Sequence, residues 1–279
     1  MEVKCVLKRL ISAFVGLAIL LFVCFLKNNI IFNIAVVIIS ILGLNEFYNA
    51  TRKVGQKPME TVGYICCLVL GLVGFVDKEK VLLPIIFLAM PMIFFVLSTI
   101  SVFSHLKFKI SDIATTILGI IYVPLMMLFL ILIWQMKNGH LLIWYVFFGA
   151  WITDSFAYFI GKAIGKHKFS KISPNKSVEG CIAGIFGAAL FYGLYTYYIN
   201  TNLLAQFGGK EFNLIAMIIA GAVISVISQI GDFTASTIKR QCDIKDFGSI
   251  MPGHGGVLDR FDSILMIAPF VYVLFEFIV

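Results

Sequence analysis

Long apolar runs separated by short polar breaks fill the chain. A helix that crosses a bilayer needs about 20 mainly apolar residues. Nine stretches meet or approach that length: 10–26, 30–44, 62–76, 81–103, 114–136, 141–160, 181–199, 213–230 and 263–279. Lys4, Lys8 and Arg9 precede the first run as they would in a signal peptide. No small-residue cleavage site follows and eight further runs do, so the first run is read as a retained span. The pattern predicts an all-α integral membrane protein of about nine transmembrane helices.

Composition narrows the alternatives. Of 279 residues, 60% are hydrophobic and 13% charged, and mean hydropathy is +0.99. Soluble domains carry roughly 25% charged residues, so this chain has too little polar surface for a soluble enzyme. A disordered chain and a secreted disulfide scaffold are excluded as well. Cys24, Cys66, Cys67 and Cys181 sit in apolar runs without zinc or redox spacing and read as apolar fillers.

Basic residues set the expected orientation. The N-terminal tail and even-numbered loops hold Lys4, Lys8, Arg9, Arg52, Lys53, Lys57, Lys107, Lys109, Lys162, Lys166, Lys168, Lys171, Lys176, Lys239, Arg240, Lys245 and Arg260. The odd loops hold Lys27, Lys78, Lys80, Lys137 and Lys210. This predicts a cytoplasmic N-terminus, a C-terminus outside, and an inner (plasma) membrane of bacterial type. The net charge of +7 is mostly this bias and needs no nucleic-acid partner. Trp134 and Trp144 flank the outer loop near Lys137, as in an aromatic belt.

Two loops exceed what connection requires, 161–180 and 231–262. Residues 1–140 are therefore read as a scaffold and 141–279 as the catalytic region. If the eighth span continues as helix past Gly231, then Asp232, Ser236 and Lys239 share a face. A carboxylate and a hydroxyl one turn apart form a half-site for a hard cation such as Mg²⁺. Asp259 and Asp262 form a second acidic pair at the start of the last span. A salt-bridge network with Lys239, Arg240 and Arg260 is the structural alternative for any one of these acids.

Pro252-Gly253-His254-Gly255-Gly256 lies between the two pairs. Its glycines allow close backbone approach to phosphate oxygens, and Lys239, Arg240, Lys245 and Arg260 strengthen that reading. No Walker A or GxGxxG pattern occurs. Asp154 is an acid inside an apolar run. Such groups are costly and functional by default, so it is expected to face a polar cavity with Tyr158 one turn on. Ser173-Pro174-Asn175-Lys176-Ser177 is a further candidate for phosphate contacts, while the other basic residues of that loop suit anionic lipid headgroups.

The run STIKRQCDIKDFGSIMPGHGGVLDRFD, Ser236 to Asp262, resembles the signature of the phosphatidate cytidylyltransferase (CDP-diacylglycerol synthase) family. Asp154 to Gly161 (DSFAYFIG) and Ser173 to Gly180 (SPNKSVEG) resemble it too. The resemblance covers roughly 150–263, and the first 140 residues share only hydropathy and span number. Departures stand at Ala235, Phe247, Met251, Asn175 and Ser177.

The resemblance implies transfer of the cytidylyl group of CTP to phosphatidate, giving CDP-diacylglycerol and pyrophosphate. It implies a two-metal centre on Asp232, Ser236 and Asp259, holding Mg²⁺ and a second, monovalent cation such as K⁺. Lys239, Arg240, Lys245, Asp246, Arg260 and Asp262 complete the catalytic set. Ser173, Lys176, Gly253, His254, Gly255 and Gly256 are expected at substrate phosphates, with Asp154 and Tyr158 where the lipid headgroup arrives. A homodimer is compatible with the family. A CTP-dependent polyprenol or phytol kinase is the nearest rival, and a membrane transporter is the rival of another class.

Overall fold

The computed structural model describes residues 2–73, 82–104, 107–169, 173, 176–253 and 255–278. In chain order its helices are α1 (Glu2–Phe25), α2 (Asn29–Lys53), α3 (Glu60–Val73), α4 (Leu82–Phe103), α5 (Ile110–Ile120), α6 (Met126–Gln135), α7 (Gly139–Ile164), α8 (Val178–Asn202), α9 (Leu214–Gln241) and α10 (Leu258–Val273). A π-helical turn, Ile121–Leu125, joins α5 to α6. It contains Pro124, which has no N–H for the ladder. Counted as one segment, α5 and α6 bring the described helices into line with the nine predicted runs. The ends 74–76, 81 and 279 of those runs lie outside the described residues, as do Lys78, Lys80, His105, Lys171, Pro174, Asn175 and His254.

Among the described residues, five segments are long and apolar enough to cross a membrane: Asn29–Lys53, Ile110–Gln135, Gly139–Ile164, Val178–Asn202 and Leu214–Gln241. The chain is accordingly an all-helical integral membrane protein. Several helices outrun their apolar stretches. α7 continues to Ile164 and α9 to Gln241, so the two large loops shrink to 165–177 and 242–257. Hydropathy marks where the apolar residues stop, whereas the helix persists through polar residues until backbone chemistry ends it.

The chain divides into two compact units. Met1–Ile131 forms the first together with Gln241–Arg260. Its centre is the buried face of α2, where Leu44, Phe47, Tyr48 and Thr51 recur at helical spacing. Tyr48 fits because Gly63 and Gly119 lack side chains: a Cβ at the first would lie 2.5 Å from its hydroxyl and one at the second 2.6 Å from its ring. Its hydroxyl donates to the Thr116 carbonyl at 3.2 Å. Buried Asp112 ties the α2–α3 connection to α5, accepting the Lys57 N–H at 2.7 Å and the Lys109 N–H at 2.8 Å.

Leu132–Arg240 and Phe261–Val279 form the second unit. Small residues let its helices approach closely, as membrane helix pairs require. A Cβ at Gly221 would meet the Ala188 carbonyl at 2.8 Å, and one at Gly149 would meet Ile224 at 2.7 Å. Tyr192 donates to the Tyr145 carbonyl at 2.6 Å, while the Tyr145 and Thr196 hydroxyls pair at 2.8 Å. Lower down, Thr153 donates to Ser225 at 2.9 Å and the Gln229 amide to the Cys181 carbonyl at 3.1 Å. These buried polar groups are thus paired between helices.

Candidate functional site

In the second unit, the site begins where α7 and α8 cross. A Cβ on Gly180 would stand 2.5 Å from the Ala157 carbonyl and 3.1 Å from the Cα of Gly161. This crossing places the start of α8, where Ser177 is the N-cap and accepts the Gly180 N–H at 3.1 Å. The preceding strand-like segment is pinned on both sides. The Phe169 N–H donates to the Lys176 carbonyl at 3.0 Å, and the Val178 N–H to the His167 carbonyl at 2.9 Å. His167 is also bonded through Nδ1 to Glu179 at 2.7 Å.

Lys176 therefore reaches α9 and forms an ion pair with Asp232. Its ammonium lies 4.6 Å from the Phe233 ring centroid, and Phe233 stacks on Phe169 at 4.9 Å. α9 runs unbroken through this region, so Asp232, Ser236 and Lys239 fall on one face as the spacing requires. Beside them is an apolar cavity of about 500 Å³ between α8 and α9, lined by residues including Cys181, Ile182, Gln229, Phe233 and Thr237.

Asp262 is buried in the same unit. Burial pushes its carboxyl up to about 7; Asp232 and Asp154 raise it further and Lys239 opposes them. Asp154 and Tyr158 lie on an exposed face of α7, with Tyr158 61% exposed and the Lys162 ammonium 5.8 Å from its ring. Ser173 is half-buried, and its carbonyl accepts the Lys176 N–H at 3.2 Å. Arg240 is exposed at the end of α9.

The glycine-rich segment belongs to the first unit. Met251 donates to the Gly255 carbonyl at 3.0 Å, closing a tight turn in which Gly253 and Gly255 have φ of +80° and +87°. Side chains rarely adopt such values. Asp259, in the first turn of α10, faces back onto this turn. Its Oδ2 accepts the Phe247 N–H at 2.8 Å and the Gly256 N–H at 2.9 Å. The Gly256 amide is thus directed at a carboxylate of the protein. Lys245, Asp246 and Arg260 are exposed around the segment, and His254 lies outside the described residues.

Sequence reasoning missed Glu46. This acid of α2 is 3% exposed. Its Oε1 accepts the Val257 N–H at 3.0 Å and its Oε2 the Leu258 N–H at 2.8 Å. A Cβ on Gly248 or Gly256 would come within 2.3 Å of its carboxylate. The signal was present in the sequence: an acid between the apolar stretch 30–44 and Phe47 follows the same rule that singled out Asp154.

Among the described residues, no three His, Cys, Asp or Glu side chains gather as a metal cluster. The donors of Asp232, Ser236 and Asp259 are all oxygens, and Asp232 holds a cationic group already. Taken one by one, such oxygen donors suit a hard ion such as Mg²⁺.

A model of the cytidylyltransferase family matches residues 7–278. The chain is 31% identical over 272 residues to the phosphatidate cytidylyltransferase of Staphylococcus aureus (strain COL), covering 95% of this chain and 97% of that one. It is 43% identical over 134 residues to that of Bacillus subtilis (strain 168), covering 47% of this chain and 46% of that one. With that of Staphylococcus haemolyticus (strain JCSC1435) it shares 33% identity over 181 residues, 64% of this chain and 65% of the other.

Proposed function

Because the chain belongs to the cytidylyltransferase family, we infer that it transfers the cytidylyl group of CTP to phosphatidate, giving CDP-diacylglycerol and pyrophosphate. The observation that carries the lipid half of this reading is the apolar cavity beside the Lys176–Asp232 pair. A substrate with a phosphate head and apolar tails matches that juxtaposition of charge and apolar lining.

A phosphate oxygen of phosphatidate attacks the α-phosphorus of CTP, the bond to the β-phosphate oxygen breaks, and pyrophosphate leaves. The second pKa of a phosphomonoester is about 6, so the nucleophile is largely a dianion at pH 7 and needs no strong base. The difficulty is holding two polyanions together in line. Lys176 and Ser173 receive the lipid phosphate, with Asp154 and Tyr158 along its approach. Gly253, His254 and Gly255 meet CTP phosphates, and Lys239, Arg240, Lys245 and Arg260 screen the charge. Gly256 serves by fixing Asp259, and Asp246 and Asp262 orient the cations.

Asp232, Ser236 and Asp259 would hold Mg²⁺, with K⁺ or a similar ion as a second cation. The bound metal supplies charge neutralisation at the reacting phosphates. Oδ2 of Asp259 is fixed by two amides, which holds this carboxylate in one orientation. The orientation follows from the basic residues: N-terminus and site in the cytoplasm, C-terminus outside, in the plasma membrane of a bacterial cell. A homodimer belongs to the same reading.

The test is product analysis with α-phosphate-labelled CTP, phosphatidate and Mg²⁺ in nanodiscs, comparing wild type with Asp259→Asn. Label entering lipid with pyrophosphate release, and lost in the variant, supports the reading. Label remaining in CDP while an added lipid alcohol is phosphorylated makes the protein a kinase instead. Absence of turnover by folded protein overturns the enzymatic reading.

A further inference from the structure

We propose that Glu46 is a positioning residue for this reaction: from α2 it sets the backbone of Gly256, Val257 and Leu258, and with it the loop that receives CTP. The inference rests on the reading of Gly253–Gly255 as a CTP phosphate site.

The first amides of a helix lack partners within it. A local Ser, Thr, Asp or Asn usually supplies one. α10 begins at Leu258 and is preceded by Val257, whose side chain has no acceptor. Glu46 fills that role from 211 and 212 residues away, one oxygen to each of two successive amides. Two such bonds to two atoms of one rigid group fix the direction of the backbone as well as its place.

The neighbouring amide, that of Gly256, is held by Asp259. Three consecutive N–H groups are therefore locked by two carboxylates, and Asp259 is one of the groups assigned to the cation. Burying two acids this close is unfavourable unless a particular arrangement is required. The surroundings are adapted to it as well. Gly248 and Gly256 leave room for the Glu46 carboxylate, since a Cβ on either would stand 2.3 Å from it.

One consequence concerns phosphate recognition. A helix N-terminus is a ready anion site, but in α10 the protein's own carboxylate occupies it. CTP must be held by the turn and the basic side chains, and Glu46 determines where that turn stands. Its replacement should weaken CTP without affecting the lipid.

The experiment measures KM for CTP, KM for phosphatidate and kcat in nanodiscs for Glu46→Gln, with Phe47→Leu as a packing control on the same helix and His254→Ala as a direct loop variant. Hydrogen exchange at the amides of 256–258 is followed in parallel. The expected result for Glu46→Gln is a rise in KM for CTP of at least about tenfold, as loss of a charge-assisted bond gives. KM for phosphatidate stays within about twofold, and exchange quickens at 257 and 258. Phe47→Leu lowers thermal stability and leaves KM for CTP unchanged. An unmoved KM for CTP in Glu46→Gln, or an equal rise in Phe47→Leu, overturns the proposal. If His254→Ala raises KM for CTP while Glu46→Gln does not, only the role of Glu46 falls. If neither variant moves it, the assignment of the loop to CTP falls with it.

Discussion

Lys176, one residue before the N-cap of α8, is ion-paired with Asp232 on α9 and lies over the ring of Phe233. A protein cation thus neutralises a carboxylate assigned to a metal ion. Lys176→Gln leaves that carboxylate unpaired. In chelator the variant should be less stable than wild type by about 1 kcal/mol, the scale of a partly exposed pair. Added Mg²⁺ should close most of the gap. Melting curves with and without Mg²⁺ check this, and an equal deficit in both conditions counts against a shared role at Asp232.

Asp259 has two duties that substitution can separate. Asparagine keeps an oxygen for the Phe247 and Gly256 amides but loses the charge. Asp259→Asn should melt close to wild type and lose about a hundredfold or more in kcat. Asp259→Ala strands two buried donors as well, at about 1–3 kcal/mol each, so it should lose stability in addition to activity. Parallel melting and rate measurements distinguish the two.

Gly180 and Gly161 hold α7 and α8 together at the base of the site. The atom that a Cβ on Gly180 would strike is a backbone carbonyl, which cannot swing aside. Gly180→Ala should destabilise by about 1–3 kcal/mol and displace Lys176 with it. The expected signature is a lowered melting temperature together with a raised KM for phosphatidate.

Asp262 predicts a pH dependence. Its carboxyl is held high chiefly by burial, then by Asp232 and Asp154. A raised acid disfavours the folded state once the unfolded chain ionises, so its cost grows as pH climbs from about 4 to about 7 and levels off above. Asp262→Asn removes that cost. Without Mg²⁺ the variant should gain stability over wild type at pH 8 and gain little at pH 4. Melting temperatures at the two values, in chelator, decide it; a gain independent of pH would point to packing instead.

Much of this was legible in the sequence because the relevant forces are local. Apolar runs gave the helices, and spacings of three and four put Asp232 beside Ser236 and Asp259 beside Asp262. The ends of α7 and α9 were not legible, since hydropathy reports the lipid-facing stretch and both helices continue beyond it. Nor was the partner of Lys176, because only the close crossing of α7 and α8 aims it at Asp232. Glu46 was the largest omission. Its meaning depends on amides more than two hundred residues away, and no local pattern encodes a contact of that kind. Conversely, Gly256 looked like a free phosphate donor in sequence and proved to be an internal tie to Asp259.

The bond from Glu46 to Val257 and Leu258 also bears on how the protein is made. Chains are synthesised from the N-terminus and fold largely in that order. α2 therefore leaves the ribosome long before the glycine turn exists, and its buried acid must wait for most of the chain to be inserted. The glycine turn is consequently among the last parts to assemble. A copy truncated before residue 257 leaves Glu46 without its two amides, an unsatisfied buried acid that costs the incomplete chain stability.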